Sequence, residues 1–355
     1  MGGVEQVIFQ LAEGGVQHGI CSEVLSLSKS GASRNVPLEG HLTHTSKLDL
    51  HVASTGFSVS AFKDFSELAK EADIINYHFP WPFMDVVHFV SRIRKPTVVS
   101  YHSDIVKQKT LLKLYQPLMN GFLGSVDRIV ASSPKYIESS ATLQRFKDKV
   151  TVIPIGLDKN TYPHVPTAKL SYWRAQLGER FFLFVGALRY YKGLDYLLEA
   201  ACKARFPIAI LGQGPMEVEL KAKAIKLGLT DIHFLGGLPD VDKTALLMLC
   251  CGLVFPSHLR SEAFGISLLE AAMFGKPLIS CEIGTGTTYI NIAGETGLVV
   301  PPCDPDALAN AMITLWENPE KSNAMGRSAA LRFEKVFTAE RMVNSYANVY
   351  QSLLR

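Results

Sequence analysis

The sequence predicts an α/β protein with two doubly wound, Rossmann-like domains that face a central cleft. Its 355 residues exceed what one ordinary hydrophobic core holds, so two domains of roughly 150–200 residues each are expected. Short apolar runs bounded by Gly, Pro and Ser alternate with helical patterns along nearly the whole chain, which is typical of parallel α/β sheets. A polar, proline-containing stretch, residues 158–169, separates two such series and is interpreted as a linker.

The first series predicts a domain over residues 1–160. A helix over residues 2–15 opens it, with an apolar stripe formed by Val4, Val7, Ile8 and Leu11. The predicted strands are residues 22–28, 73–79, 96–102, 127–133 and 150–155. No strand precedes the first helix, whereas every later helix follows one. We therefore expect that the first strand of this sheet and the loop after it, about fifteen residues together, are missing from the sequence.

The second series predicts a domain over residues 161–334. Its predicted strands are residues 181–188, 207–212, 232–238, 252–257, 277–282 and 297–302, with helices between them. Ligands of such sheets bind beyond the carboxyl ends of the strands, so the loops that follow each strand are where chemistry is expected.

The composition excludes several classes of protein. A 47% hydrophobic and 19% charged chain has enough apolar material for two cores and does not resemble a disordered protein. The net charge of +3 is too mild for a nucleic-acid-binding protein. The six cysteines, two of them adjacent, indicate free thiols in a reducing compartment, and no Cys/His spacing indicates a metal site. Without an apolar run of about 18 residues, a cytoplasmic protein is expected, able to rest on a membrane surface.

The stretch SEAFGISLLEAAMFGKP, residues 261–277, contains two glutamates on either side of a predicted helix start. Gly275 predicts the end of this helix, Glu262 lies in the loop ahead of it, and Glu270 lies about one turn inside. Between the glutamates, the N–H groups of Phe264, Gly265, Ile266 and Ser267 are expected to be open. They form an anion site with a carboxylate at each side, which suits a phosphate-linked sugar. The alternative is an ordinary surface helix with incidental glutamates.

The loop after the first strand of this domain carries Arg189 and Lys192, within VGALRYYKG. These cations are expected to neutralise a diphosphate, most of all as it departs as a leaving group. For either residue, the alternative is a solvated surface charge. The next strand ends in LGQGP, where Gly212 and Gly214 are weak signals, because turns use glycine everywhere.

Together, the segments GGVEQ, YHSD, SSPKY, IPIGLD, RYYKG, GQGP and SEAFGISLLEA resemble the retaining, GT-B fold glycosyltransferases of family 4, across essentially the whole chain. The two glutamates with AFG between them are the most specific element. The resemblance implies a nucleotide-sugar donor, retention of anomeric configuration and no obligatory metal. Further segments, YHSDIVKQK, LRYYKG and IGTGTTYIN, are similar to mannosyl- and rhamnosyltransferases that build bacterial O-polysaccharides from GDP-sugars.

The resemblance also implies roles for single residues. Glu262 contacts the transferred sugar, and Glu270 contacts the ribose hydroxyls. The backbone of Phe264, Gly265 and Ile266 holds the sugar and distal phosphate. Further residues that match the donor-binding pattern are the diphosphate ligands Arg189 and Lys192, the turn glycines Gly2 and Gly3, and the strand-end glycines Gly186 and Gly212. His102 matches a histidine near the reacting carbon, so the implied catalytic set is Glu262, His102, Lys192 and Arg189.

One departure from the family pattern concerns the phosphate site. The family usually has arginine directly after Gly186, where this chain has Ala187, so Arg189 is a candidate replacement two positions later. His78 ends a strand as His102 does, and a structural or acceptor-lining role is expected for it. An ordinary hydrogen-bonded core histidine is the alternative for both.

The function implied is transfer of a hexose, mannose or rhamnose, from GDP-mannose or a related GDP-sugar to a lipid-linked or saccharide acceptor in O-antigen biosynthesis. The last helix, residues 335–355, is expected to pack back on the first domain, as in the resembled fold. Basic residues favour peripheral contact with anionic lipid, although a solvated face is the alternative; they are Arg92, Arg94, Lys95, Lys107, Lys109 and Lys113. The alternative functions are a non-catalytic nucleotide-sugar binder, a UDP-sugar-dependent transferase, and another GT-B enzyme such as an epimerase.

Overall fold

The computed structural model describes residues 2–52, 55–106 and 109–355. The chain divides into two compact units, Met1–Gly156 with Ala339–Arg355, and Leu157–Thr338. These boundaries lie four residues before and four residues after those expected from the sequence.

The elements of the described residues are as follows. The strands are β1 (Glu23–Ser28), β2 (Ser33–Leu38), β3 (His41–Lys47), β4 (Leu50–Val52), β5 (Thr55–Phe57), β6 (Ile75–Phe79), β7 (Thr97–Tyr101), β8 (Arg128–Ala131), β9 (Val150–Val152), β10 (Phe182–Val185), β11 (Ile208–Leu211), β12 (Ile232–Gly236), β13 (Gly252–Phe255), β14 (Leu278–Cys281) and β15 (Gly297–Val300). The helices are α1 (Gly3–Gly15), α2 (Ser60–Glu71), α3 (Pro82–Val90), α4 (Lys109–Ser125), α5 (Pro134–Ser139), α6 (Ala141–Arg145), α7 (Thr167–Leu177), α8 (Leu194–Ala204), α9 (Glu217–Lys226), α10 (Asp240–Leu249), α11 (Ile266–Met273), α12 (Thr287–Ile290), α13 (Pro305–Glu317), α14 (Pro319–Val336) and α15 (Ala339–Leu353). Short 3₁₀ turns are Val16–His18, Lys147–Lys149, Lys159–Thr161 and Tyr190–Lys192.

The second unit contains a six-stranded, all-parallel sheet in the order β12-β11-β10-β13-β14-β15. Every side chain of β10, β11, β13 and β14 is buried, as expected for strands covered by helices on both faces. The chain runs outward from β10 to one edge and then returns to β13 on its other side. This reversal places a topological switch point between β10 and β13, where ligands of doubly wound sheets bind. The predicted fold of this unit is confirmed.

The first unit contains a four-stranded parallel sheet in the order β6-β7-β8-β9, so the predicted strands there are confirmed. The carboxyl-terminal helix α15 packs on this unit. Its Tyr346 hydroxyl lies 2.8 Å from the Ser100 hydroxyl on β7, and its Tyr350 hydroxyl accepts a 3.0 Å hydrogen bond from Asn76 on β6. These bonds give polar groups on this sheet face hydrogen-bond partners under the helix.

A second, smaller set of strands in this unit was not predicted. Strand β3 pairs in parallel with β1 and antiparallel with β2, and β4 and β5 form an antiparallel pair. The assignment of no strand between residues 29 and 72 is therefore wrong. Five of the six side chains of β2 are exposed and β3 is mostly polar, so neither shows the apolar run that indicates a buried strand.

Helix α1 is confirmed, but its predicted apolar stripe is only partly buried. Val7 is 2% exposed, whereas Val4 is 38% exposed. The helix instead buries small or polar positions; its buried residues are Val7, Gln10, Ala12 and Gly15. The reason is close packing against α15, because a β-carbon on Gly14 would lie 2.6 Å from Val343 of that helix. Apolar periodicity alone does not report such a close approach.

A buried carboxyl group, Asp85 in α3, has an unusual environment. Its side chain is fully buried, one oxygen accepts a hydrogen bond from the Tyr115 hydroxyl, and the other has no partner among the described residues. Burial raises the pKa of Asp85 from 3.8 to about 8, against the opposing effect of the Tyr115 hydrogen bond. Asp85 is therefore protonated in the folded protein at neutral pH.

We expect Asp85→Asn to stabilise the protein increasingly as the pH rises. Between about pH 4 and pH 8, the unfolded chain releases the Asp85 proton while the folded protein retains it, so this group lowers the free energy of unfolding as the pH rises. Asparagine removes that loss. The gain in apparent Tm over the parent protein should grow by at least about 3 °C between pH 4 and pH 8.5.

The matched control is Asp73→Asn, which makes the same substitution at an exposed position. Differential scanning fluorimetry across the pH range should show a Tm difference for this variant that is flat within about 1 °C. A pH-independent difference for Asp85→Asn would contradict the assignment of a buried, protonated carboxyl.

Candidate active site

Two predicted site residues, Lys192 and Glu262, meet at the carboxyl edge of the second unit's sheet. Lys192 ends the 3₁₀ turn after β10, and Glu262 lies in the loop after β13, so they come from the two strands of the switch point. The Lys192 Nζ lies 2.5 Å from the Glu262 Oε2, and both side chains are 11% exposed. The structure therefore joins, in one buried ion pair, the residues expected at the phosphate and at the sugar.

The position of Lys192 depends on the glycine that follows it. Gly193 has a φ of 70°, and a β-carbon there would lie 2.0 Å from the carbonyl oxygen of Pro256. Only glycine allows the two loops to pass this closely. The Lys192 ammonium also lies 4.7 Å from the centre of the Phe255 ring, an additional favourable contact for a cation.

All contacts of the Glu262 carboxylate within the described residues are made by one of its oxygens. Oε2 accepts hydrogen bonds from Lys192 and, at 3.0 Å, from the Ser257 hydroxyl. The carboxylate is thus oriented and buried, with Oε1 available for a further donor. A sugar hydroxyl is one such donor.

The second glutamate, Glu270, is held by a different set of partners. It lies in the second turn of α11, as predicted, and its Oε1 is 2.9 Å from both the Tyr162 hydroxyl and the Lys243 Nζ. Lys243 also lies 3.0 Å from Asp240. Burial lowers the pKa of Lys243, but the charge and hydrogen bonds of Glu270 and Asp240 together raise it above its usual value. Lys243 is therefore a fixed positive charge beside Glu270.

The start of α11 is the predicted anion site. Gly265 precedes the helix with a φ of 98°, and the Ser267 hydroxyl donates a 2.7 Å hydrogen bond to the carbonyl of Val185, the last residue of β10. Within the described part of the chain, no acceptor is recorded for the backbone N–H groups of Phe264, Gly265, Ile266 and Ser267. Open N–H groups at a helix start attract anions.

The strand-end glycines bring the backbone close to this site. Gly186 has a φ of 155°, and a β-carbon there would lie 3.6 Å from the Lys192 Nζ. Gly212, at φ 138°, would meet the Gly186 carbonyl oxygen at 2.0 Å, and Gly214 would meet the Leu188 carbonyl oxygen at 2.4 Å. Glycine is thus required at Gly212 and Gly214, which looked weak in the sequence, and the φ of Gly186 favours glycine there as well.

Arg189 is exposed, and its side chain has no recorded partner among the described residues. Its carbonyl accepts the Lys192 N–H at 3.0 Å, so it belongs to the same turn. Ala187 is also exposed and offers no charge to a phosphate. Arg189 is therefore the cation of this loop that is open to an anion.

The remaining predicted residues, Gly2, Gly3 and His102, belong to the first unit. Gly2 is exposed with a φ of −82°, an extended conformation open to any residue, and Gly3 is the first residue of α1. His102 follows β7, and its Nε2 lies 2.8 Å from the Nδ1 of His78. The sequence placed both histidines at strand ends but did not reveal this pairing.

Three residues of the site were missed by the sequence analysis: Tyr162, Lys243 and Ser257. Tyr162 lies within the stretch interpreted as a linker, yet it contacts Glu270, 108 positions away in the sequence. Lys243 lies one turn into α10, where a lysine is ordinary. Among the described residues, no cluster of three or more His, Cys, Asp or Glu side chains could hold a metal ion.

Comparison with known proteins matches both halves of the chain to families of one kind. Residues 172–332 match the family described as "Glycosyl transferases group 1", and residues 1–161 match "Glycosyltransferase Family 4". The chain is 58% identical to D-rhamnosyltransferase WbpZ of Pseudomonas aeruginosa, over 96% of this chain and 89% of that protein. It is 52% identical to O-antigen chain mannosyltransferase C of Escherichia coli, over 99% and 95%.

Solved structures share the fold at low sequence identity. Sucrose-phosphate synthase from Thermosynechococcus elongatus superposes with a TM-score of 0.81 at 21% identity, covering 99% of this chain and 94% of that one. WaaG, a glycosyltransferase involved in lipopolysaccharide biosynthesis, superposes with a TM-score of 0.71 at 17% identity, covering 99% and 96%.

We expect Gly193→Ala to destabilise the second unit more than a comparable glycine substitution elsewhere. The new β-carbon would collide with the Pro256 carbonyl and displace the Lys192 loop. The matched control is Gly228→Ala, because Gly228 has a φ of 66° but no atom within 4 Å of its β-carbon position. The control should lose about 2–4 °C of apparent Tm through backbone strain alone, and Gly193→Ala at least twice that. Equal losses would show that the close approach is not needed.

Proposed function

The chain belongs to the group 1 and family 4 glycosyltransferases, and from this premise we propose that it is a retaining hexosyltransferase of O-antigen biosynthesis. It moves mannose or rhamnose from a GDP-sugar to a lipid-linked or saccharide acceptor. The observation that carries this proposal is the buried contact of Lys192 with Glu262 beside the open start of α11. A diphosphate and a sugar each find suitable partners there.

Two relatives support the choice of hexose and pathway. One is named a D-rhamnosyltransferase and the other an O-antigen chain mannosyltransferase, and each is more than half identical to this chain over nearly its whole length. The choice of guanine as the base of the donor rests on the resemblance of the sequence motifs to those of transferases that use GDP-sugars.

The charges of the second unit suit the departure of a nucleoside diphosphate. Cleavage of the bond between sugar and phosphate leaves negative charge on the diphosphate, which Lys192, Arg189 and the N–H groups at the start of α11 stabilise. Glu262 accepts a hydrogen bond from the transferred sugar, and Glu270 accepts hydrogen bonds from the ribose hydroxyls. Retention follows when the acceptor hydroxyl attacks from the face that the phosphate leaves, with a phosphate oxygen accepting its proton. No side chain then needs to be a strong base.

Lys192 has a second task in the absence of donor. A buried carboxylate without a partner is strongly unfavourable, so Lys192 compensates Glu262 and holds it in place. An ammonium has three N–H donors, so it reaches a phosphate oxygen while it still contacts Glu262.

A donor panel tests the proposed substrate. Purified protein is incubated with GDP-mannose, GDP-rhamnose, UDP-glucose or ADP-glucose, with and without a lipid-linked acceptor, and released nucleotide is measured. We expect turnover with a GDP-sugar and the acceptor. Turnover with UDP-glucose and with no other donor would show that the donor carries uracil rather than the proposed guanine. Tight binding of a GDP-sugar without transfer would indicate a non-catalytic binder.

Removal of either charge of the ion pair should strongly reduce transfer. We expect Lys192→Met to lower kcat at least about 100-fold, because a cation is lost where the leaving group gains charge, and Glu262→Gln to lower it about 10-fold or more. The matched control is Lys203→Met, which removes a 58%-exposed lysine that pairs with Asp306. The control should keep normal kinetics. Near-normal transfer by a folded Lys192→Met protein would refute the assignment.

The first unit also offers a surface for a membrane-bound acceptor. Apolar side chains are exposed on α3 and α4, with Val90 at 60% and Leu114 at 79%. Arg92 and Arg94, directly after α3, are exposed and positive. Lys107, part of the predicted basic cluster, lies outside the described residues. Among the helices of the described residues, none combines the length and the apolar character needed to cross a bilayer. From these exposed apolar and basic side chains, we extend the proposal to peripheral contact of the first unit with anionic lipid.

Vesicle flotation measures this contact. Protein should float with vesicles that contain anionic phosphatidylglycerol at low salt and be released by about 0.5 M salt, because screening weakens surface charge interactions. Leu114→Gln should reduce the floating fraction. The matched control is Ile225→Gln, at an 81%-exposed position on α9 of the second unit. Absence of flotation at low salt, or equal effects of the two variants, would rule out this surface.

A further inference from the structure

Two histidines face each other at the carboxyl ends of neighbouring strands in the first unit. His78 lies in β6, and His102 directly follows β7. The His78 Nδ1 and the His102 Nε2 are 2.8 Å apart. This distance is shorter than the separation between the planes of two stacked rings. The rings are nearly parallel, at 11°, with centroids 5.1 Å apart. This is an edge-to-edge hydrogen bond that lies close to both ring planes.

The hydrogen bond constrains the protonation of His102. One proton lies between the two facing nitrogens, so one imidazole donates it and the other accepts it. In either case, the Nε2 of His102 is occupied and its Nδ1 remains for another partner. The bond thus fixes the plane of the His102 ring and couples the tautomer of His102 to that of His78.

The backbone around His102 is fixed independently of this bond. Its N–H donates to the Phe79 carbonyl at 2.9 Å, which extends the ladder between β6 and β7. Two residues later, Asp104 accepts hydrogen bonds at 2.7 Å from the hydroxyls of Tyr101 and Ser140. What the backbone leaves undetermined is the rotation of the imidazole about its side-chain bonds. Among the described residues, the recorded contact that determines this rotation is His78.

The pair is uncharged near neutral pH. Burial lowers the pKa of His102 to about 4, and burial together with the neighbouring His102 lowers the pKa of His78 well below its usual value. Neither ring is therefore an imidazolium that could act as a general acid. In the catalytic role that the family resemblance implies for His102, an uncharged ring acts through the direction of its open nitrogen, and a hydrogen-bonded neighbour controls that direction.

We propose that His78 is a positioning residue for sugar transfer, which holds His102 in the one ring orientation and tautomer that the reaction uses. This inference rests on the proposed function and assigns a residue to it beyond the donor ligands. His78 touches neither donor nor acceptor in this role. Its effect passes entirely through His102.

Three substitutions at His78 separate positioning from simple packing. His78→Leu removes the hydrogen bond. His78→Asn keeps it, because the asparagine side-chain amide occupies the place of Nδ1 at the same distance from the backbone. His78→Gln is the matched control, because it keeps an amide but moves it one carbon further away. Apparent Tm is measured for each variant, so that loss of folding is recognised.

Steady-state kinetics with the GDP-sugar identified by the donor panel give the first result. We expect His78→Leu and His78→Gln to lower kcat about 10- to 100-fold, with the donor KM within about threefold of the parent, because a misoriented group costs turnover rather than donor binding. His78→Asn should recover kcat to within about threefold of the parent. Equal losses in His78→Leu and His78→Asn would overturn the proposal.

A double-variant cycle gives the second result. If His78 acts only through His102, His78→Leu should have no further effect in a His102→Ala background, within about twofold. Losses that multiply would overturn the proposal, because they would show an independent role of His78.

Imidazole ¹⁵N spectra of the histidine-labelled protein separate this proposal from the proposed function. His102 should show a single neutral tautomer in the parent and in His78→Asn, and an average of both tautomers in His78→Leu. Averaged tautomers in the parent would overturn the inference while leaving hexosyl transfer intact. Absence of turnover in the parent with every donor would instead refute the proposed function, whatever the spectra show.

Discussion

A contact between two buried charges, the Lys192 ammonium and the Glu262 carboxylate, constrains the loops at the carboxyl edge of the second unit's sheet. A single charge buried in either loop would be strongly unfavourable, so each loop must bring its charge to the other. The chain reaches this arrangement because Gly193 takes up a left-handed conformation and passes directly against the Pro256 carbonyl. The backbone conformation of Gly193 therefore determines whether the side chains of Lys192 and Glu262 can meet.

The same rule governs the second carboxylate with different partners. Glu270 is buried, and Lys243 and Tyr162 bond to it, while Lys243 also contacts Asp240. Both glutamates are thus neutralised locally by lysines, so neither cancels the positive potential at the start of α11. An anion bound there meets open N–H groups rather than two repelling carboxylates. Because each glutamate is paired with a lysine, two carboxylates near the start of α11 are compatible with a phosphate site.

The parts of the fold that the sequence predicted are those with a local signal. Buried parallel strands are short apolar runs, and each predicted run contains a strand, whereas β2 and β3 show no such run because their side chains are largely exposed or polar. The start of α11 and the two glutamates around it were predictable from one stretch of chain. The contact of Tyr162 with Glu270 joins residues 108 positions apart, and no spacing rule reports it. The same holds for the imidazole pair, in which each histidine is visible in the sequence but the bond between them depends on the register of β6 and β7.

The proposed sugar transfer has two opposite electrostatic requirements. As the sugar–phosphate bond breaks, negative charge grows on the diphosphate and the sugar ring becomes electron-poor. In the proposed function, exposed Arg189 and paired Lys192 supply the positive charge that the first change requires. An imidazolium beside the ring would oppose the second change. Burial of His102 against His78 lowers the pKa of His102 to about 4, which leaves an uncharged hydrogen-bonding group. In the role proposed for His102, the low pKa favours transfer, because an uncharged imidazole does not repel an electron-poor sugar.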